Sequence, residues 1–340
     1  MVNVACVGAG YWGKNLVRNL HGLAGCRLKY VCDADKETCR RMASQYPDVA
    51  VAADLEDVLR DPELDAVVIA VPVPSHYAVA KRAIECGKHT YVEKPLTLST
   101  QEAERLVELA EGKGLTLMVG HLLEYHPAVE RIKAIVDSGE IGDIRYVYSQ
   151  RLNLGIVREN ENAFWSLAPH DISVMLYLMN APRPLRVHAV GRAYLRPGIE
   201  DVVFVAVEFA DNRMGHVHVS WLDPHKTRRI TVVGSKKMAV FDDMETSEKI
   251  RIYDKGAEAV LNEAYANSIT LHDGDITIPR VGMSEPLKLE CQHFVDCVRT
   301  GARPRSDGRD GLRVVQILEA AERSLRNGGG PVEVAPSALV

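Results

Sequence analysis

No two of the seven cysteines in this 340-residue chain stand in a CxxC spacing. They lie at positions 6, 26, 32, 39, 86, 291 and 297, an odd and scattered set that argues against a zinc module and against a disulfide framework. A cationic excess is missing too. The formal net charge of -5 counts against nucleic acid or any other polyanion as a partner. No stretch approaches the roughly 18 uncharged apolar residues that cross a bilayer, so no membrane partner is expected. The opening residues, Met1 to Gly8, lack the basic start and small-residue cleavage site of a signal peptide. A cytoplasmic protein with reduced thiols and no bound metal is the expectation. Internal repeats and low-complexity segments are absent from the sequence, and only Gly328 to Val340 reads as loose.

What is present is the composition of a folded protein, 46% hydrophobic and 26% charged. At this length one ordinary core is not enough, and two domains are expected, divided at 1–122 and 123–340. Residues 2–7 form a continuous apolar run, the pattern of a strand buried on both faces of a parallel sheet. Gly8-Ala9-Gly10-Tyr11-Trp12-Gly13 follows at once, and a helical pattern runs on through Leu20. In a GxGxxG loop so placed, Gly8 permits the tight turn and Gly10 lets backbone approach a pyrophosphate. Gly13 lets the helix pack closely on the strand. The second strand, 27–32, ends in Asp33, twenty residues after Gly13. A carboxylate there accepts hydrogen bonds from both ribose hydroxyls and repels a 2′-phosphate. The next residues are Ala34 and Asp35, so no cation offsets it. NAD is therefore the expected cofactor.

The alternation of strand and helix continues. Segment 64–71 reads as a buried strand, 77–86 as a helix stopped by Gly87, and 89–92 as a short strand entering Glu93-Lys94-Pro95. A helix over 100–111 and a strand over 115–119 complete a doubly wound parallel sheet. Ligands in such sheets sit beyond the carboxyl ends of the strands. Pro72, Ser75, His76, Glu93 and Lys94 then share a cofactor cleft with Gly8, Gly10, Tyr11, Trp12 and Gly13. The segments 144–152, 185–195, 201–210, 213–222, 228–233 and 237–242 read as strands in mainly meandering order.

The chain resembles the Gfo/Idh/MocA family of NAD(P)-dependent oxidoreductases, in order and over nearly its whole length. The residues that carry the likeness are Val68 to His76, Gly87 to Pro95, Gly120-His121, Tyr125-His126-Pro127 and Ser138 to Gly142. Pro169-His170-Asp171-Ile172, Ser220-Trp221 and Arg305 to Leu312 complete it. The resemblance implies an α/β protein: an N-terminal Rossmann domain, then a C-terminal α/β domain with a large, mostly antiparallel open sheet. One face of that sheet is expected to close the active site, and the other to make a subunit contact in a homodimer or homotetramer.

Oxidation of a secondary alcohol needs a base near neutral pKa and a cation or donor to steady the developing alkoxide. Lys94 stands at a strand end on the cofactor cleft, and the resemblance gives it contact with substrate and nicotinamide. A solvated surface lysine is the plainer alternative. The resemblance makes His170, read here at the start of an apolar helix over 172–178, the general base. A helix-capping or core histidine is its alternative. Asp171 is expected to serve as a carboxylate at that helix N-terminus. Many relatives carry an aspartate four residues before this histidine; here the position is Ser166. Either His170 works without that carboxylate, or Lys94 or a tyrosine such as Tyr125 shares the role.

Further substrate contacts are expected from His121, Tyr125, Arg151, Asn153, Arg158 and Trp165, together with Lys94, Ser166 and His170. His126 is either a pocket residue or a helix cap. His216 and His218 share one strand face, which suits an exposed or interface surface better than a metal pair. His225 to Arg229 reads as a solvated hairpin or as a grip for a diphosphate. The loops Asn160 to Asp171, Gly198 to Asp201 and Ser220 to Pro224 resemble the sugar-nucleotide branch of the family. UDP-N-acetylglucosamine 3-dehydrogenases of that branch make a 3-keto sugar for a partner aminotransferase. The alternatives are a UDP-N-acetylglucosaminuronate 3-dehydrogenase, a free aldose or inositol dehydrogenase, and a non-catalytic NAD-binding sensor.

Overall fold

The computed structural model describes residues 1–262 and 265–340, with side chains described for 1–257 and 269–340. The chain forms two compact units, Met1–Tyr125 with Ser284–Gln316 and Ser337–Val340, and His126–Met283 with Ile317–Pro336. The boundary near residue 125 lies close to the one read from sequence. Segments 284–316 and 337–340 instead return to the first unit.

The first unit runs β1 (Val2–Val7), α1 (Gly13–His21), β2 (Cys26–Cys32), α2 (Lys36–Gln45), β3 (Ala50–Ala52) and α3 (Leu55–Leu59). It continues with β4 (Ala66–Ile69), α4 (His76–Glu85), β5 (His89–Glu93), α5 (Thr100–Gly112) and β6 (Leu117–Gly120). The six strands order as β3-β2-β1-β4-β5-β6, all parallel. Strands of such a sheet are apolar on both faces because helices cover both. Val2, Val4 and Cys6 join one core with Leu16 and Leu20; Ala5 and Val7 join the other with Ala80, Ile84 and Leu106. The short β3 and α3 escaped the sequence reading, being too brief to show a period.

The second unit begins with α6 (Pro127–Asp137), β7 (Ile144–Leu152) and α7 (Ala163–Leu178). Strands β8 (Pro184–Arg192), β9 (Val202–Phe209), β10 (Met214–Ser220), β11 (Thr227–Gly234), β12 (Met238–Asp242), β13 (Ile250–Asn262) and β14 (Tyr265–Thr277) follow. Helix α8 (Pro286–Thr300) and the first turns of α9 (Gly308–Arg326) belong to the first unit, and β15 (Val332–Glu333) to the second. The nine strands order as β14-β13-β12-β11-β7-β10-β9-β8-β15.

The sheet is mainly a meander, β8-β9-β10 and β11 to β14, with one exception: β7, first in the chain, lies between β11 and β10 and pairs parallel with β10. One expectation is corrected here. The segment read as loose adds β15 to the edge strand β8, with Val332 and Val334 buried.

Helix α7 starts earlier than the proline suggested. Asn162 caps it by accepting the Trp165 amide, and Pro169 lies inside it. Proline there removes one backbone hydrogen bond, which the heavily buried α7 tolerates. His170 is thus mid-helix, and Asp171 is no N-terminal carboxylate. Asp171 instead receives Arg151 of β7 through Nε at 2.5 Å and Nη2 at 3.3 Å, with both residues buried. Burial pushes the Asp171 carboxyl upward against the pull of Arg151, but two donors on two oxygens fit the ionised form. Removing one partner of a buried pair strands the other charge. Asp171→Ala should therefore cost about 3–5 kcal/mol of stability, read from denaturant melts; a loss below about 1 kcal/mol would show that the pair does not hold β7 to α7.

Candidate functional site

In the first unit the glycine loop is shaped by contacts of backbone on backbone. Gly8 has φ +89°, and a Cβ on it would meet Ala70 O at 2.6 Å. A Cβ on Gly13 would lie 2.0 Å from Gly8 O. Around Gly10 nothing lies within 4 Å of that position, which leaves the open cradle that a pyrophosphate requires. Asp33 follows β2 and accepts the Ala9 amide at 2.7 Å on Oδ2 and the Asp35 amide at 2.9 Å on Oδ1. It holds the loop closed while each oxygen keeps a lone pair for ribose. These residues fit a dinucleotide.

The ends of β4 and β5 complete this edge. His76 is buried, with Nδ1 2.8 Å from Pro95 O and Nε2 3.0 Å from Val71 O, so it pins the Lys94-Pro95 turn to the turn after β4. Burial pushes its pKa down, and a neutral ring donates to only one of the two carbonyls. Pro72 and Ser75 are exposed on the same turn. The Trp12 indole N–H donates to Glu93 Oε1 at 2.5 Å, and the Lys94 amide donates to Oε2 at 3.3 Å. Tyr11, at 80% exposure, stands out from the loop. One edge of the sheet therefore carries Gly8, Gly10, Tyr11, Trp12, Gly13, Asp33, Pro72, Ser75, His76, Glu93 and Lys94.

Behind this edge lies a set of buried acids. Glu124 and Asp310 are fully enclosed and hydrogen-bonded to each other. Burial, then the Asp310 charge, pushes Glu124 well above the usual carboxylate range, and burial pushes Asp310 up to about 7. The pair therefore holds a proton. His121 is wholly buried, with Nε2 3.8 Å from Asp310 Oδ2. Burial and the Lys94 charge push it down to about 3, so it is neutral. Glu290 of α8 lies buried beside Tyr91, and burial followed by the Glu93 charge keeps it protonated. None of these acids was read as functional. Glu290 left one readable signal, since it stands three residues after Leu287 and four before Phe294, on the apolar stripe of α8.

Tyr125, expected at the substrate, is placed elsewhere. It is 2% exposed, and its hydroxyl lies 2.9 Å from Ser306 Oγ. Ser306 gives its own proton to Val119 O at 2.7 Å, so the phenol is the donor and is used up. Burial pushes its pKa well up, which removes it as a base.

In the second unit, α7 carries Trp165, Ser166 and His170 in their half-buried positions. Ser166 and His170 are four apart and share one helix face. The Trp165 indole donates to Glu322 at 3.2 Å. Arg151, expected on the substrate, is bound to Asp171 instead, because an unpaired guanidinium cannot be left buried. His126 caps α6, its Nδ1 accepting the Ala128 amide at 3.1 Å. Asn153 is half-buried and Arg158 exposed in the segment between β7 and α7. Arg228 and Arg229 pair with Asp243 at 3.3 Å and Asp242 at 2.7 Å, so the basic hairpin is largely neutralised. His216 and His218 lie side by side on β10, and among the described residues no group of three His, Cys, Asp or Glu could hold a metal. Among the same residues, no helix is long and apolar enough to cross a membrane.

Known proteins share this fold. Residues 2–121 match the model of the oxidoreductase family with an NAD-binding Rossmann fold, and residues 129–240 match the GFO/IDH/MocA C-terminal domain. The chain belongs to the Gfo/Idh/MocA family of oxidoreductases, and its first unit is an NAD-binding Rossmann domain. It is 28% identical to the NAD(+)-dependent scyllo-inositol 2-dehydrogenase of Bacillus subtilis, over 96% of this chain and 95% of that one. Identity to UDP-N-acetylglucosamine 3-dehydrogenase of Acidithiobacillus ferrooxidans is 30%, over 58% of this chain and 61% of that one. The solved structure of the latter superposes with TM-score 0.81 at 22% identity, covering 96% of this chain and 99% of that one. GenD2 from gentamicin A biosynthesis, solved with NAD, superposes with TM-score 0.82 at 25% identity, covering 98% and 97%.

The protonated carboxyl pair gives a test of sign. The folded-state pKa of Asp310 is raised, so its contribution to stability is full below the unfolded value and is lost as pH rises through about 7. Thermal midpoints of Asp310→Asn should therefore gain on the wild type between pH 5 and pH 8. A mutant-minus-wild-type midpoint that stays constant or falls as pH rises over that range would show that the pair carries no extra proton.

Proposed function

We propose that this oxidoreductase oxidises a secondary alcohol of a sugar nucleotide to a ketone, with UDP-N-acetylglucosamine converted to its 3-keto derivative. The observation that carries the oxidation is the placing of Lys94 at the carboxyl end of β5, with its amide and the glycine-loop Trp12 on one Glu93 carboxylate. Gly8, Gly10 and Gly13 would leave room for the pyrophosphate of a bound NAD and Asp33 would hold its ribose, the nicotinamide supplying the acceptor for the carbinol hydride. Lys94 steadies the oxygen on which negative charge develops. His170 takes the hydroxyl proton, with Lys94 as the alternative acceptor; Tyr125 is not available for it. A 3-keto group beside an N-acetyl group is ready for transamination, which fits an aminotransferase as the next enzyme.

The choice of sugar rests on the loop likeness and on the relative from Acidithiobacillus. The similarity to an inositol dehydrogenase, which extends over nearly the full chain, keeps a cyclic polyol as the second reading. NADH absorbance with UDP-N-acetylglucosamine, its uronate, free aldoses and inositols separates these readings. Turnover of inositol alone would overturn the nucleotide assignment. Lys94→Ala should lower kcat by about 100-fold or more, and a rate within a fewfold of wild type would remove Lys94 from the chemistry.

We also propose that the protein is a homo-oligomer, built through the nine-stranded sheet. Tyr146, Phe204, Met214 and Val190, together with His216 and His218, lie on one face of it, opposite the residues packed in the core. Phe204→Asp should shift the mass from light scattering toward a single chain; an unchanged mass would locate the contact elsewhere.

A further inference from the structure

The loop expected to receive the pyrophosphate and the peptide that carries Lys94 are far apart in sequence, yet one side chain meets both. Glu93 accepts the Trp12 indole N–H at 2.5 Å and the Tyr91 hydroxyl at 3.3 Å on Oε1, and the Lys94 amide at 3.3 Å on Oε2. An indole nitrogen only donates, and a carboxylate only accepts. The three donors therefore define the acceptor as well as its orientation. Space for it is kept by Gly120 at the end of the neighbouring β6, where a Cβ would lie 2.6 Å from the Tyr91 hydroxyl and 3.0 Å from Glu93 Oε2. A glycine is thus required there for a reason unrelated to the turn. Trp12 is the residue before α1, and its backbone carbonyl takes the Asn15 amide at 2.8 Å, so the indole bond fixes the entry to that helix.

We propose that Glu93 is a positioning residue that couples the dinucleotide loop to Lys94, the Trp12 indole being the loop's half of the tie. This rests on the reading of Lys94 as the group at the reacting oxygen. The arrangement has two consequences. Closing the tie arranges the loop before the cofactor arrives, which strengthens binding by sparing the ordering cost. It also means that a change at Trp12 is felt at the Lys94 peptide through one carboxylate. Burial pushes the Glu93 carboxyl upward, while the indole, the Lys94 charge and the Tyr91 hydroxyl pull it back. The donors are what favour a carboxylate at this half-buried place. Glutamine would put an amide N–H against one of the three donors, so it is not a neutral replacement.

A double-mutant cycle tests the tie. Trp12→Phe keeps a ring and removes the indole N–H; Glu93→Leu removes both acceptor oxygens, and with them the bond to the indole. NAD affinity, measured calorimetrically with no sugar present, should fall about tenfold in each single variant and about equally in the double variant, because one bond is lost once. The rate at which an amine-reactive acylating reagent labels Lys94, followed by peptide mass spectrometry in cofactor-free protein, should change at least threefold in Trp12→Phe. Multiplying losses of affinity, or labelling of Lys94 identical to wild type, would overturn the coupling. If Glu93→Leu fails to fold, Trp12→Phe decides the matter through the same two readouts. Neither readout involves sugar turnover, so failure of the tie and failure of the proposed activity remain separate results.

Discussion

The first unit depends on a contact that admits no side chain. A Cβ on Gly13 would lie 2.0 Å from the carbonyl oxygen of Gly8, which means that α1 starts directly against the end of β1. This closeness turns the backbone of residues 8–13 into an open cradle beyond the strand end, and it places Trp12 where its indole reaches β5. Asp33 then anchors the cradle from β2 through the Ala9 amide. The site edge is assembled from neighbouring strands of one parallel sheet, each contributing the residues just past its carboxyl end. Sheet order does the gathering, and no long-range loop is needed.

That geometry leaves a cost in electrostatics. Glu124, Glu290 and Asp310 are withdrawn from water, and Glu93 is half-buried beside this set. Charges removed from solvent in such number cannot all be balanced by ion pairing, and the cheaper answer is to keep protons on some of them. Glu124 and Asp310 share theirs across a hydrogen bond, and Glu290 holds its own. Glu93 differs because three donors converge on it. The contrast sets one half-buried acid with three donors on its oxygens against buried neighbours whose pKa is pushed well up by loss of water.

The sequence was most informative where spacing and chemistry coincide. The glycines, Asp33 and the Glu93-Lys94-Pro95 turn declare themselves through position relative to apolar runs, and the strands of the second unit through alternation. The remainder was hidden for physical reasons. Pro169 suggested a helix start, yet α7 runs through it because the surrounding turns are deeply buried. Arg151 looked like a substrate contact, since nothing in a linear reading shows that Asp171 lies against it. The place of β7 in the second sheet follows from a parallel pairing with β10, formed across about seventy residues. The buried acids are apparent only once folding removes the water around them.

Ser166 narrows the proton chemistry. It lies on the same face of α7 as His170, one turn earlier, and it offers a hydroxyl where the family resemblance leads to the expectation of a carboxylate. An imidazolium formed by taking the substrate proton would have no carboxylate from that position to stabilise it. Tyr125 cannot compensate, because its hydroxyl is committed to Ser306 and its ring lies under the Arg305 guanidinium at 4.7 Å. The alternatives reduce to His170 acting without that counter-charge, or Lys94 accepting the proton as well as steadying the oxygen. In the proposed reaction the alkoxide must be stabilised whichever group holds the proton, and that is the role proposed for Lys94. If Lys94 has that role, the bond from its amide to Glu93 bears on the reaction whichever group is the base.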